Sequence, residues 1–151
     1  MDEIKSPLAA VLGIAAIRTD TVIPLLVFVV FSMLLDYITG MLAGRRSNNG
    51  INSESATKGL YKKAGFLCLF CLGFFLDVAI PFFTYAGLRL EIPFATPFGV
   101  IIAAWIVITE AISVIENLSE IGVNVPEWML KLLKQTKGQI DDGKAGGGSN
   151  G

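Results

Sequence analysis

Three long apolar stretches, each with an acidic residue in its interior, constrain this chain more than any other feature. They run from 21 to 44, from 64 to 86 and from 94 to 118, and they contain Asp36, Asp77 and Glu110. Each is longer than the roughly 20 residues that a helix needs to cross a bilayer, and none alternates as a strand would. Ionised carboxylates are costly in hydrocarbon, so such residues usually face a protein interior or a water-filled path. The sequence therefore predicts three spanning helices that function through the surfaces between them.

Composition narrows the class of protein further. The chain has 151 residues, of which 53% are apolar, so it is too apolar for an ordinary soluble domain and too short for a large transporter. Its net charge of -1 argues against a nucleic-acid partner. It contains no histidine, which excludes Ser-His and Cys-His nucleophile pairs and histidine metal sites. We predict an all-α membrane protein that is not an enzyme and has no catalytic, cofactor or metal site.

The predicted three-helix transmembrane domain, 21–118, is flanked by two shorter segments. Residues 1–20 contain an apolar run too short to cross a bilayer, which favours a short N-terminal interfacial helix. Residues 119–142 are predicted to form a cytoplasmic amphipathic helix on the inner membrane surface, with its lysines toward lipid phosphates. The glycine-rich residues 143–151 are predicted to be a flexible tail. The bilayer itself is therefore an expected partner.

Basic residues between the first two spans indicate how the chain is oriented. The segment 45–63 is rich in lysine and arginine and has a single acidic residue, Glu54. The positive-inside rule places this segment and the C-terminus in the cytoplasm, and the N-terminus outside. The predicted membrane-surface basic residues are Arg45, Arg46, Lys58, Lys62 and Lys63.

Proline and glycine residues predict where the helices end. Pro81 should kink or end the second span. Thr96 and Pro97 have the pattern of a cap followed by the first helical residue of the third span, and Gly122 that of its stop.

Each predicted span carries polar or small residues on one face, because residues four apart lie on the same side of a helix. Gly40 and Gly44 also match the small-xxx-small pattern of closely packed membrane helices, although they could instead mark a fraying helix end. The predicted helix-association or pore-lining candidates are Ser32, Asp36, Gly40 and Gly44 in the first span, Gly73 and Asp77 in the second, and Glu110, Ser113 and Asn117 in the third.

Asp36 and Glu110 are predicted to lie at the same depth, about 12 Å from the inner ends of their helices. With no basic residue expected at that depth, desolvation and mutual repulsion favour the neutral form of at least one of them. The carboxyl groups could bond between helices in one state and face water in another. They could equally be protonated packing elements with no switching role.

Several motifs, taken in order, resemble the toxin-secretion and phage-lysis holins. The resemblance covers roughly residues 25–133, and it departs from the family pattern at Thr109, where members often have asparagine. It implies a small bacteriophage protein of the bacterial cytoplasmic membrane that forms homo-oligomers. It also implies lesions that pass a cytoplasmic endolysin, or a toxin without a signal peptide. The matching segments are Asp36-Tyr37-Ile38-Thr39-Gly40, Lys58-Gly59-Leu60, Lys62-Lys63, Asp77, Glu110, Ser113-Val114-Ile115-Glu116-Asn117-Leu118 and Gly122-Val123-Asn124-Val125-Pro126.

Two other functions are compatible with the same residues. The chain could be an antiholin-like regulator or scaffold that associates with a holin and delays it. It could also be a small proton-coupled transporter, although such a protein is expected to show a broken helix or an inverted repeat, and neither is evident.

Overall fold

The computed structural model describes residues 2–46, 53–88 and 97–142. This part of the chain consists of helices and turns, without strands. The helices are α1 (Asp2–Arg46), α2 (Ser53–Tyr85), α3 (Phe98–Ile121) and α4 (Glu127–Asp141). Among the described residues, three segments are long and apolar enough to cross a membrane: Asp20–Arg46, Thr57–Thr84 and Phe98–Ile121. The prediction of an all-α membrane protein with three spans is confirmed.

Helix α3 lies at the centre and packs against the other three helices. The contacts between side chains show that it runs parallel to α1 and antiparallel to α2 and α4. A small apolar core lies where the three spans meet, whereas many large apolar side chains between residues 20 and 46 of α1 and on the described part of α2 are exposed. An exposed apolar surface of this kind suits contact with lipid. The core consists of Val29, Met33, Phe70, Ala103 and Ile106.

Two helices begin earlier than the sequence predicted. Residues 2–19 are continuous with the first span in α1 instead of forming a separate helix, since neither glycine nor proline lies between Arg18 and Val22. Helix α2 begins at Ser53, well before residue 64, because only Gly59 weakens an otherwise helix-compatible segment. The basic residues from Lys58 to Lys63 therefore lie on a helix and not in a loop.

The predicted helix ends were partly correct. Pro81 does not end α2, which continues to Tyr85. Pro97 is the N-cap of α3 and not its first helical residue, and Thr96 lies outside the described residues. Gly122 ends α3 as predicted: it adopts φ 91°, a left-handed conformation open to glycine, and its N–H donates to Ser119 O at 3.0 Å.

Helix α4 confirms the helix predicted within 119–142, but it folds back along α3. After the turn at 122–126, its residues pair with positions of α3 in antiparallel order. The structure thus forms a three-span bundle with a fourth, shorter helix against its central member. The predicted tail, 143–151, lies outside the described residues.

Candidate functional site

One ammonium group connects all three spans near the middle of α3. Lys63 Nζ donates at 2.9 Å to Asp36 Oδ2 and also donates to Glu110 Oε2. The side chains are largely withdrawn from solvent, with exposed fractions of 14% for Lys63, 21% for Asp36 and 1% for Glu110. Because both carboxylates bind the same ammonium, Asp36 and Glu110 share a level in the bundle, as expected.

The expectation that these carboxylates lack a basic partner was wrong, and helix register explains why. Lys63, Phe70 and Asp77 recur at a spacing of two helical turns, so they lie on the same face of α2, and that face is turned toward α3. Since α2 begins at Ser53, Lys63 is already fixed in this register. Its flexible four-carbon stem then carries the charge inward. Lys63 is thus part of the interior network and not a membrane-surface residue.

A second set of polar contacts joins α1 directly to α3. Asn117 Nδ2 donates to Asp36 Oδ1 at 3.1 Å and lies 3.2 Å from Thr39 Oγ1. The Thr39 hydroxyl in turn donates to Leu35 O at 2.9 Å. A Cβ atom on Gly40 would lie 3.5 Å from Asn117 Nδ2, an ordinary contact distance, so Gly40 packs beside this amide. Thr39 is not among the predicted helix-association candidates, although its position three residues after Asp36 was an available signal.

The other predicted stripe residues are not part of this network. The Ser32 hydroxyl donates to Val29 O within its own helix at 2.9 Å, and the Ser113 hydroxyl makes a longer 3.4 Å contact to Thr109 O. Among the described residues, no atom lies within 4 Å of the Cβ position of Gly44. In a single copy of the chain, Gly44 therefore makes no close helix crossing.

Asp77 caps the start of α3 from a different helix. Its Oδ1 accepts the N–H of Phe98 at 2.6 Å, and its Oδ2 accepts the N–H of Gly99 at 2.9 Å. These are among the first N–H groups of α3, which have no carbonyl partner within the helix and lie at the positive end of its dipole. Pro97, the N-cap residue, supplies no side-chain bond. The 5% exposed carboxylate of Asp77 therefore takes the place of a local cap.

A close crossing of α2 and α3 makes this cap possible. A Cβ atom on Gly73 would lie 2.7 Å from Ile102 Cδ1 and 3.0 Å from Gly99 Cα, while one on Gly99 would lie 2.8 Å from the Phe74 ring. Only glycine permits the two backbones to approach in this way. Gly73 is thus a contact residue between α2 and α3.

Helix α4 contacts the N-terminal half of α3 through Trp105. The Trp105 indole N–H donates to Asp141 Oδ1 at 2.7 Å, and Lys137 Nζ lies 5.2 Å from the centre of its ring. Phe66 of α2 packs edge-on against the same ring, with centroids 5.5 Å apart. Lys137 therefore contacts an aromatic ring of α3. The contact of the α4 lysines with lipid phosphates stays a prediction. A further α4 contact, between Lys134 Nζ and Glu116 Oε1 at 3.4 Å, is exposed.

The remaining predicted basic residues lie on the exposed surface at the end of the bundle where α1 ends and α2 begins. Arg45 and Arg46 form the last turn of α1, and Lys58 and Lys62 lie on the first turns of α2. Lys62 Nζ is also 5.2 Å from the centre of the Phe66 ring. Their placement is compatible with a membrane-surface role.

A comparison with models of known protein families assigns the chain to a family. The model of the bacteriophage holin family matches residues 14–138, which include every residue of the polar network. The chain belongs to the bacteriophage holin family. Membership in the holin family identifies it as a multi-pass membrane protein from a non-enzymatic family and suggests that it oligomerises in the membrane.

Two curated relatives come from Clostridium perfringens. The chain is 31% identical over 113 residues to an "Uncharacterized 14.9 kDa protein in nagH 3'region", covering 75% of this chain and 76% of that protein. It is 32% identical over 114 residues to an uncharacterized protein of strain 13, type A, covering 76% and 73% of the two chains. No solved structure matches.

Proposed function

We propose that the chain is a holin that accumulates in the cytoplasmic membrane of a bacterial host, associates with further copies and opens lesions. Through these lesions a cytoplasmic endolysin, or a toxin without a signal peptide, would leave the cytoplasm, with no stable complex between cargo and holin. The main support is that the residues matched by the holin family model include Lys63, Asp36 and Glu110. These acidic and basic side chains pair with one another between three spanning helices and are largely withdrawn from solvent. A purely structural span would avoid the cost of such charges.

The network is compatible with a closed state that a single copy can adopt in lipid. Asp36 and Glu110 are both paired with Lys63, so neither carboxylate faces hydrocarbon alone. If the spans separate during assembly, the same polar side chains become available to line water or to contact another copy. We propose helix association or pore lining as the role of Ser32, Asp36, Gly40, Gly44, Gly73, Asp77, Glu110, Ser113 and Asn117.

We also propose that the N-terminus lies outside and the C-terminus in the cytoplasm. The supporting feature is the exposed basic surface around Arg46 and Lys58 at the end of the bundle where α3 also terminates. A fluorescent protein or alkaline phosphatase fused to the C-terminus tests this. Fluorescence without phosphatase activity is expected, and the reverse pattern would contradict the proposed orientation.

Induced expression tests the proposed lytic function. The chain is expressed in bacteria with and without a cytoplasmic endolysin that has no export signal, and culture density and dye entry are followed. With endolysin present, we expect growth to stop abruptly and lysis to follow. Without it, dye should enter but the cells should keep their shape.

Two other results would contradict the proposal in different ways. Delay of lysis by a co-expressed, independent holin, with no lysis by the chain alone, would identify a regulator. Altered resistance to a solute without any permeability to dye would instead identify a transporter.

A further inference from the structure

The two halves of the ion-pair network connect different helices. Lys63 and Glu110 lie on α2 and α3, whereas Asp36 lies on α1. We propose that the Lys63–Glu110 pair is permanent and that the Lys63–Asp36 pair is a releasable latch, whose opening frees α1 from a stable α2–α3 unit. This inference rests on the proposed holin function, since it assigns the step that precedes lesion assembly.

Helices α2 and α3 are fastened to each other independently of Lys63. Gly73 and Gly99 bring their backbones into close contact near the outer end, and Asp77 caps α3 from α2. Near the middle, Phe66 packs against Trp105. These contacts are spread along most of the shared length of the two helices, so loss of any one bond would leave α2 and α3 together.

Among the side chains that the structure describes, hydrogen bonds and an ion pair join α1 to the other spans within one helical turn. Asp36 binds Lys63 and Asn117, and Thr39 lies against the same Asn117 amide. Elsewhere α1 contributes apolar side chains such as Val29 and Met33 to the core. In a bilayer, apolar contacts of this kind contribute van der Waals packing without a hydrophobic driving force, so the polar contacts are the ones that lipid tails cannot replace. The bonds of Asp36 and Asn117 are therefore the contacts whose loss should release α1.

Charge and exposure determine which half of the network opens. If α1 leaves, Lys63 and Glu110 remain together as a neutral pair on the α2–α3 unit. Asp36 then carries one unpaired negative charge on α1 and requires water or another copy of the chain. Its side chain is already 21% exposed, whereas that of Glu110 is 1% exposed, so the Asp36 end is the accessible one.

This asymmetry predicts opposite effects for two isosteric substitutions. Asp36→Asn removes the ionic tie of α1 and leaves Lys63 neutralised by Glu110, so α1 should separate more readily. Glu110→Gln leaves Asp36 as the only carboxylate bound to Lys63, so separating α1 would strand an unpaired ammonium on the α2–α3 unit. That separation should become harder.

The first experiment measures the time from induction to lysis in cells that co-express an endolysin, at matched membrane levels of each variant. Asp36→Asn should shorten this time and Glu110→Gln should lengthen it. Asn117→Ala should also shorten it, because it removes α1 contacts without changing any charge. Glu120→Gln is the matched control: it removes an exposed carboxylate of α3 and should leave the time unchanged. Shifts of both carboxylate variants in the same direction, or no shift in either, would overturn the latch.

The second experiment does not depend on lysis. Spin labels are placed on exposed, lipid-facing positions of α1 and α2 by Leu34→Cys and Leu72→Cys, after the exposed Cys68 and Cys71 are changed to serine. Distances are measured by pulsed electron paramagnetic resonance in dilute vesicles. Asp36→Asn should broaden the distribution toward longer distances, and Glu110→Gln should keep it narrow. The same distribution in both variants would overturn the latch even if the chain is a holin, whereas absence of lysis by the unmodified chain would overturn only the proposed function.

Discussion

Replacing Asp77 tests whether a carboxylate on one span stabilises the start of another. Asp77 is 5% exposed and accepts two backbone N–H groups of α3, at 2.6 and 2.9 Å. Hydrogen bonds to a charged acceptor contribute about 1.5–3 kcal/mol each, and loss of a cap costs about 0.5–2 kcal/mol. Since the two bonds share one carboxylate, we expect Asp77→Ala to lower the free energy of unfolding by about 2–4 kcal/mol. Asp77→Asn keeps one accepting oxygen and should cost about half as much.

Unfolding by sodium dodecyl sulfate in mixed micelles, followed by far-ultraviolet circular dichroism, measures these differences. The expected order of stability is unmodified chain, Asp77→Asn, Asp77→Ala. Glu120→Gln is a matched control, because Glu120 is an exposed carboxylate near the opposite end of α3. At that end the helix dipole does not stabilise a negative charge. A loss below about 0.5 kcal/mol for Asp77→Ala, the range of ordinary surface changes, would refute the capping argument. So would an equal loss for Glu120→Gln.

Three further results are expected. Gly73→Ala should destabilise the fold by about 1–3 kcal/mol through overpacking. Gly65→Ala should be neutral or stabilising, because no described atom outside its own helix backbone lies within 4 Å of its Cβ position. Comparison of the two detergent unfolding midpoints checks this. Trp105→Phe keeps an aromatic ring but removes the indole N–H that donates to Asp141, so hydrogen exchange should become faster in α4 and not in α3. If ionised groups within the spans respond to the membrane field, at about 2.3 kcal/mol per charge per 100 mV, a protonophore added before the normal lysis time should hasten lysis. Unchanged timing would contradict that sensitivity.

The polar site was only partly predictable from sequence. Helical spacing placed Asp36 and Asn117 on the polar faces of their own helices and Asp36 and Glu110 at one depth, but it did not predict that Asp36 and Asn117 meet. It did not identify Lys63 as the partner of these two carboxylates. Lys63 precedes the apolar stretch, and the direction of its side chain depends on where α2 begins. The role of Asp77 was equally hidden, since its bonding partners are backbone groups of a helix that starts 21 positions later.

The sequence by itself determined the three spans, the amphipathic α4 and the end of α3 at Gly122, because each follows from local properties. A run of apolar residues long enough for the bilayer must form a helix there, since its backbone has no water to bond. Only the tertiary structure decided that one lysine neutralises two acids, that Asp77 caps α3 and that α4 folds back along it. Those contacts depend on the rotation, depth and crossing of helices relative to one another, which side-chain reach and close packing settle between segments distant in the chain.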